Sequence, residues 1–275
     1  MKRLRSIFLA PAGTVVIVTL LAPLAIVCFY SFMTRGANGG VEEPFTMENY
    51  ARLWDPLYGA VLWRSIWVAA VSTAICLASG FPLALFIAGS GPRKNLYLSL
   101  VILPFWTSFL IRTYAWMFLL RDTGLINTVL QALGIIHTPL PMLYNDGAVI
   151  LGLVYGFLPF MVLPLYATVE RLDPALIEAA ADLGARPVAT LFRVILPLCA
   201  PGIRAGTILV FVPCLGTYLT SDLLGGSKTI LIGNLVQNQF TAARDWPFGA
   251  AASLALMLAA TAMLLAARGS GEELL

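Results

Sequence analysis

Apolar residues in this chain collect in long runs, separated by short stretches in which charge, glycine and proline accumulate. The runs fall at about 7–33, 65–89, 96–120, 147–169, 203–223 and 247–267. Each meets the ~20 residues that an α-helix needs to cross a hydrocarbon core of ~30 Å. The pattern predicts an all-α polytopic membrane protein with six transmembrane helices, expected as one domain over residues 1–275. The first run follows the basic Met1–Arg5 segment. It is longer than the ~7–15 apolar residues of a cleavable signal, so a retained span is expected. Pro104 interrupts the third run, and Pro159 and Pro164 lie inside the fourth. Between those runs, GLINTVLQALG (124–134) is a short amphipathic piece expected to lie on the membrane surface or pack on its neighbours.

The stretch of about 170–202 is too polar to continue through lipid, with Asp173, Glu178, Asp182, Arg186 and Arg193. It contains a short helix with both ends marked. Asp173 suits the cap, Pro174 the first helical position, and Gly184 the left-handed residue just past the end. That predicts a helix over about 174–183. Leu176, Ala179 or Ala180, and Leu183 share an apolar face, and Glu178 and Asp182 lie one turn apart. The small alanines let the surface of another protein approach the backbone, so the helix reads as a plug for a groove.

Composition supports the membrane reading. The chain of 275 residues is 59% hydrophobic and 11% charged, against ~45–50% and ~25% in a soluble domain. Its mean hydropathy is +0.86. The four cysteines have no paired spacing that suggests a metal knuckle or a disulfide framework, and the lone His137 excludes a site built on several histidines. With the N-terminus inside, ten of the 17 basic residues fall on the cytoplasmic side: Lys2, Arg3, Arg5, Arg93, Lys94, Arg171, Arg186, Arg193, Arg204 and Arg268. An even number of spans then places both termini, and the 170–202 loop, in the cytoplasm.

Gly225-Gly226-Ser227-Lys228-Thr229 has serine where a phosphate-binding loop needs glycine before the lysine. ATP is not bound by that route, the chain is not expected to be an enzyme, and energy must come from a partner. An ion-gradient carrier would need ionisable groups near mid-membrane, which are nearly absent. The exceptions are Arg112, about two thirds along the third run, and Asp222, at the external end of the fifth. Snorkelling, or pairing of the two with each other, stands beside a role in a solute path. On a continuous fifth helix, Thr207, Cys214, Tyr218, Ser221 and Asp222 form one polar stripe. Trp106 and Thr113 share a face of the third, with Tyr114 close by. Aromatic faces and a carboxylate suit an ammonium group, although aromatics at span ends are also ordinary interface anchors. Trp106, Tyr114, Tyr218, Ser221 and Asp222 are the candidate path residues.

Glu178-Ala179-Ala180, Gly184 six residues after the glutamate, and Val194-Ile195-Leu196-Pro197 resemble the EAA loop of the permease subunits of binding-protein-dependent ABC importers. Val194 stands where isoleucine is usual. The resemblance implies that Glu178, Ala179, Ala180, Asp182, Gly184 and Pro197 form an ATPase-coupling surface. FTMENYARLWDPLY (45–58), LPFWTSFLIRTYAW (103–116), GLVYGFLPFMVLPLY (152–166), SDLLGG (221–226) and RDWPFGAA (244–251) are similar to the permeases of spermidine/putrescine importers. That likeness implies the type I ABC importer permease fold, a core of five spans plus one N-terminal span, in a bacterial inner membrane. It also implies a second permease subunit, two cytoplasmic ATPase subunits carrying ATP and Mg, and a substrate-binding protein outside. This chain itself is expected to bind no cofactor and no nucleic acid, and to contact these subunits and membrane lipid. Similar permeases serve opines, amino acid derivatives, thiamine or iron, so those substrates remain alternatives. A gradient-driven carrier is opposed by the empty mid-membrane, and a non-transporting scaffold by the proline-broken spans and the polar stripe.

Overall fold

The computed structural model describes residues 13–269. Expectations for the basic N-terminus, the start of the first run and the C-terminal tail lie outside these residues. The first helix, α1 (Gly13–Ser31), has none of its apolar window buried within the chain, as a lipid-facing helix would. The segment after it holds a two-stranded antiparallel ladder, β1 (Thr34–Arg35) with β2 (Val41–Glu42), and a short helix α2 (Glu48–Arg52). These two-residue strands depart from an all-helical pattern because Gly39 and Gly40, at φ +86° and +87°, turn the chain back on itself.

Helix α3 (Pro56–Ala88) begins well before the expected 65–89 span. Asp55 Oδ1 accepts the Leu57 amide at 2.9 Å and Pro56 stands at the first position, so the helix starts where its cap is. Its 33 residues amount to about 50 Å, more than the hydrocarbon core requires. The expected third span is two helices, α4 (Lys94–Ile102) and α5 (Phe109–Leu120). The runs containing them meet at 88°. Pro104 has no N–H to give the preceding turn, the chain tightens into a 3-10 turn at Leu103–Trp106, and Thr107 closes it by donating its hydroxyl to the Pro104 carbonyl at 2.7 Å.

The amphipathic piece forms α6 (Leu125–Ala132), anchored by buried Asn127, which bonds the Arg121 carbonyl and both backbone groups of Leu140. Then follow α7 (Asp146–Val169), α8 (Pro174–Asp182), α9 (Pro187–Leu198) and α10 (Ala200–Gly216), with α9 and α10 bent by 70°. The last two helices among the described residues are α11 (Ile232–Phe240) and α12 (Trp246–Gly269). Among the described residues four helices are long and apolar enough to span a membrane, or six if each bent pair is one span.

Two compact units make up the described chain. The first takes the residues up to Ala60 with Leu235–Met263. Its centre is Asp245, which is 2% exposed. One of its carboxylate oxygens accepts from Arg52 Nη1 at 2.9 Å and the other from the Phe248 amide at 3.2 Å, capping α12. The Arg52 guanidinium also lies 4.2 Å from the Phe248 ring centroid, and Tyr58 packs on the same ring. Arg35 Nη2 donates to the Ala243 carbonyl at 2.7 Å, which joins the β1–β2 turn to the start of α12. FTMENYARLWDPLY and RDWPFGAA are therefore complementary halves of one structural joint.

The second unit takes Val61–Asn234 with the residues from Leu264. Its core is the seam between α7 and α10, where Leu153, Met161, Val162, Leu165 and Val210 are fully buried. Small residues let the two backbones close: a Cβ at Gly206 would fall 2.7 Å from Met161 Sδ. At one end of α7 a polar cluster fixes the loop after α10. Arg64 Nη2 meets Asp146 Oδ1 at 2.6 Å and Nη1 donates to the Lys228 carbonyl at 2.7 Å, while the Thr229 hydroxyl donates to Asp146 at 2.8 Å.

Candidate functional site

The 170–202 segment folds as its local signals dictate. Asp173 Oδ1 accepts the Ala175 amide at 3.0 Å, and Pro174 opens α8. At the other end Gly184 N–H bonds the Ala181 carbonyl at 2.8 Å and Ala185 N–H the Ala180 carbonyl at 3.0 Å, with Gly184 at φ +76°. This pair of bonds around a left-handed glycine satisfies carbonyls that the helix end would leave open. Of the two alanines placed as alternatives on the apolar face, Ala180 is buried and Ala179 is exposed.

Of the positions expected on one apolar face, Ala180 is buried within this chain and the others are exposed. Leu176 and Leu183 stay out, the latter 87% exposed, because Leu183 is the cap residue rather than a helical position. With Val188 and Phe192 at the start of α9, they leave an apolar surface beside the exposed carboxylates of Glu178 and Asp182. Pro197 is exposed in the last turn of α9, next to the bend into α10.

Lys94 Nζ pairs with Glu170 Oε1 at 2.5 Å, linking the first residue of α4 to the residue that caps the end of α7 and thus to the loop that carries α8. The Lys94 ammonium, followed by the Tyr166 hydroxyl, holds the Glu170 carboxyl below its ordinary 4.5. Glu170 in turn holds Lys94 above its ordinary 10.5. A lowered carboxyl stabilises above its unfolded value and loses that contribution as pH falls through the folded one; a raised lysine loses its contribution as pH rises through its folded value. Glu170→Gln is expected to lower the thermal midpoint slightly and by a constant amount between about pH 6 and 9. The difference from the parent should vanish in acid, which melting curves across pH would check.

The candidate path residues sit at two helix breaks. Trp106, 82% exposed, ends the 3-10 turn, and Tyr114, 40% exposed, lies on α5 beyond the break. Trp106 and Thr113 therefore do not share a helix face. Thr113 is buried and donates to the Phe109 carbonyl at 2.9 Å. The polar stripe is likewise broken: α10 stops at Gly216, Thr217 is extended at ψ 134°, and Ser221–Gly225 form a π-helical turn. Pro213 lies inside the last turn of α10, where its missing N–H weakens the helix.

Around that break Tyr218 is 42% exposed and Asp222 is exposed, with the Asp222 amide bonded to the Tyr218 carbonyl at 2.8 Å. Ser221 is buried and donates to the Thr229 carbonyl at 2.6 Å, so it holds the loop rather than facing a path. Arg112 does not pair with Asp222. Its guanidinium lies over the Phe105 ring, 4.1 Å from the centroid.

Sequence reasoning missed the cavity of about 700 Å³ beside this arginine, walled by Phe105, Phe109, Phe157 and Phe160 and closed by Gly216 and Thr217. The i, i+3 spacing of Phe157 and Phe160 was a signal for a shared face; Phe105 and Phe109 straddle a break that the periodicity does not reveal. The Arg64–Asp146–Thr229 cluster was missed too, because its members are far apart in the chain. Among the described residues no three His, Cys, Asp or Glu side chains come together as a metal site.

Residues 80–268 match the family described as binding-protein-dependent transport system inner membrane component. The chain is 48% identical over 236 residues to the spermidine/putrescine transport system permease protein PotB of Escherichia coli, covering 86% of each chain. It is 46% identical over 237 residues to PotB of Haemophilus influenzae, covering 86% of this chain and 83% of that one. In structure it is similar to a bacterial ABC transporter involved in the import of the acidic polysaccharide alginate. The TM-score is 0.77 at 18% identity, covering 98% of this chain and 96% of that one, which bears out the type I permease fold. With the helices, the capped helix α8 and these likenesses together, the chain belongs to the inner membrane components of binding-protein-dependent transport systems.

Proposed function

We propose that this chain is one of two permease subunits of an ATP-driven importer for spermidine or putrescine. The observation that carries the transport mechanism is α8, a helix closed at both ends, with exposed Leu176, Leu183, Glu178 and Asp182 ready to enter a groove on an ATPase. Both termini and α8 lie in the cytoplasm, and ATP and Mg belong to two ATPase subunits. A periplasmic binding protein delivers the amine. Closure of the ATPase pair on ATP draws the two coupling helices together and opens the path outward; hydrolysis reverses it. The polyamine reading is supported by the identity of 46–48% to permeases named for spermidine and putrescine. Exposed Asp222 and Tyr218, at the break after α10, add a carboxylate and an aromatic face suited to ammonium groups.

The test is ATP hydrolysis by the reconstituted complex with its binding protein. Spermidine or putrescine is expected to stimulate it. Stimulation by an opine, thiamine or iron, with none by polyamines, would replace the substrate; uptake that persists without ATP under a clamped ion gradient would replace the mechanism. Within the same complex, Asp222→Asn preserves size and removes the charge. Uptake of the multiply charged amine is expected to fall on the order of tenfold, the equivalent of about 1.4 kcal/mol of lost charge compensation, with the ATPase still bound. Unchanged uptake would remove Asp222 from the path.

A further inference from the structure

Arg112 carries two guanidinium nitrogens, Nε and Nη1, that are buried and meet no acceptor among the described residues. Its guanidinium carbon lies 4.1 Å from the Phe105 ring centroid and 5.8 Å from that of Phe109, so aromatic faces hold the group without satisfying its N–H donors. Among the described residues no carboxylate lines the cavity of about 700 Å³ that Arg112 borders. A buried charged donor without an acceptor is costly, so a partner for it is worth a large part of what its desolvation loses. The proposed substrate cannot be that partner: a protonated amine has N–H donors and no lone pair.

A second observation indicates where the acceptor comes from. The cavity is bounded by two backbone breaks, at Thr107 and at Gly216–Thr217. Irregular backbone at membrane depth is tolerated where protein covers it or where it lines a water-filled cavity, and lipid supplies neither cover nor acceptors. We infer that this cavity receives an Asp or Glu side chain of the second permease subunit, which neutralises Arg112 when the two permeases assemble. The inference rests on the two-permease reading. Charge complementarity chooses the occupant, since a planar carboxylate matches the guanidinium donors in both geometry and sign. Once neutralised, Arg112 no longer presents a fixed positive charge to an ammonium group passing the neighbouring phenylalanines.

The experiment uses the whole importer, purified through a tag on this chain. The unsubstituted chain is expected to bring down the second permease and the ATPase. Arg112→Gln should lower recovery of the second permease on the order of tenfold. The ATPase should still be recovered through α8, which shows that the variant has folded. Arg112→Lys, which keeps the charge, should retain most of the second permease. Replacing each Asp and Glu of the second permease by its amide should yield one position that reproduces Arg112→Gln and adds nothing to it in combination. If the unsubstituted chain brings down no second permease, the two-permease reading fails. If it does so and Arg112→Gln does so equally, only the inference about Arg112 fails. An intact Arg112→Gln complex with altered amine affinity would also overturn it and assign Arg112 to the substrate path.

Discussion

Gly184→Val is expected to abolish amine uptake while the protein still inserts in the membrane. Gly184 sits at φ +76°, where a residue with a Cβ loses roughly 1–2 kcal/mol and a β-branched one more. A Cβ there meets no atom within 4 Å, so the penalty is backbone strain and not collision. The relief available to the chain is to abandon the left-handed turn, which breaks the Gly184–Ala181 and Ala185–Ala180 bonds and unwinds the end of α8. Uptake should fall by at least about tenfold, since the docking surface proposed for the ATPase includes that end. Gly184→Asn, which tolerates the left-handed region, should keep most of the uptake, and Gly184→Ala should fall between. Glu178→Lys should reach the same loss by reversing charge on an intact helix. The order Asn, Ala, Val in uptake and in ATPase co-purification is the check; a valine variant that binds its ATPase and transports normally would mean that the loop has another role.

Asp245→Ala is expected to produce the largest loss of stability of any single carboxylate change in the first unit, about 2–3 kcal/mol. Two effects combine. Removing a helix cap costs about 1 kcal/mol. Breaking a buried pair by deleting one partner costs about 3–5 kcal/mol when both ends are buried, and less here because the Arg52 side chain is 37% exposed and recovers water. Asp245→Asn keeps an oxygen for the Phe248 amide and should lose less. Arg52→Ala strands the 3%-exposed carboxylate and should approach the cost of Asp245→Ala. The double variant should fall short of the sum, because the two side chains act on one contact. Unfolding midpoints in detergent measure all of these; a parent-like midpoint for Asp245→Ala would show that the joint contributes little.

Helix α8 was legible almost residue by residue. Its cap, its proline and its terminal glycine are local devices, each acting over a few residues, so their order along the chain is sufficient to place them. The apolar runs were legible for a related reason: lipid imposes one length requirement on every span whatever it packs against. A length requirement locates a run but says nothing of its continuity. Pro104 and Pro213 each permit a kinked helix or a broken one, and the structure breaks both near them, at Thr107 and Gly216. With the breaks went the stripe from Thr207 to Asp222 and the shared face of Trp106 and Thr113, which depended on uninterrupted periodicity.

Pairings across the chain belonged to the tertiary structure alone. Arg52 finds Asp245 across 193 positions and Arg64 finds Asp146 across 82, while Arg112 lies on phenylalanine rings instead of beside Asp222. A charge in the sequence states that a partner or water is needed. Which partner it meets is set by helix crossing and by where each helix stops, and those depend on side-chain packing that no single stretch contains.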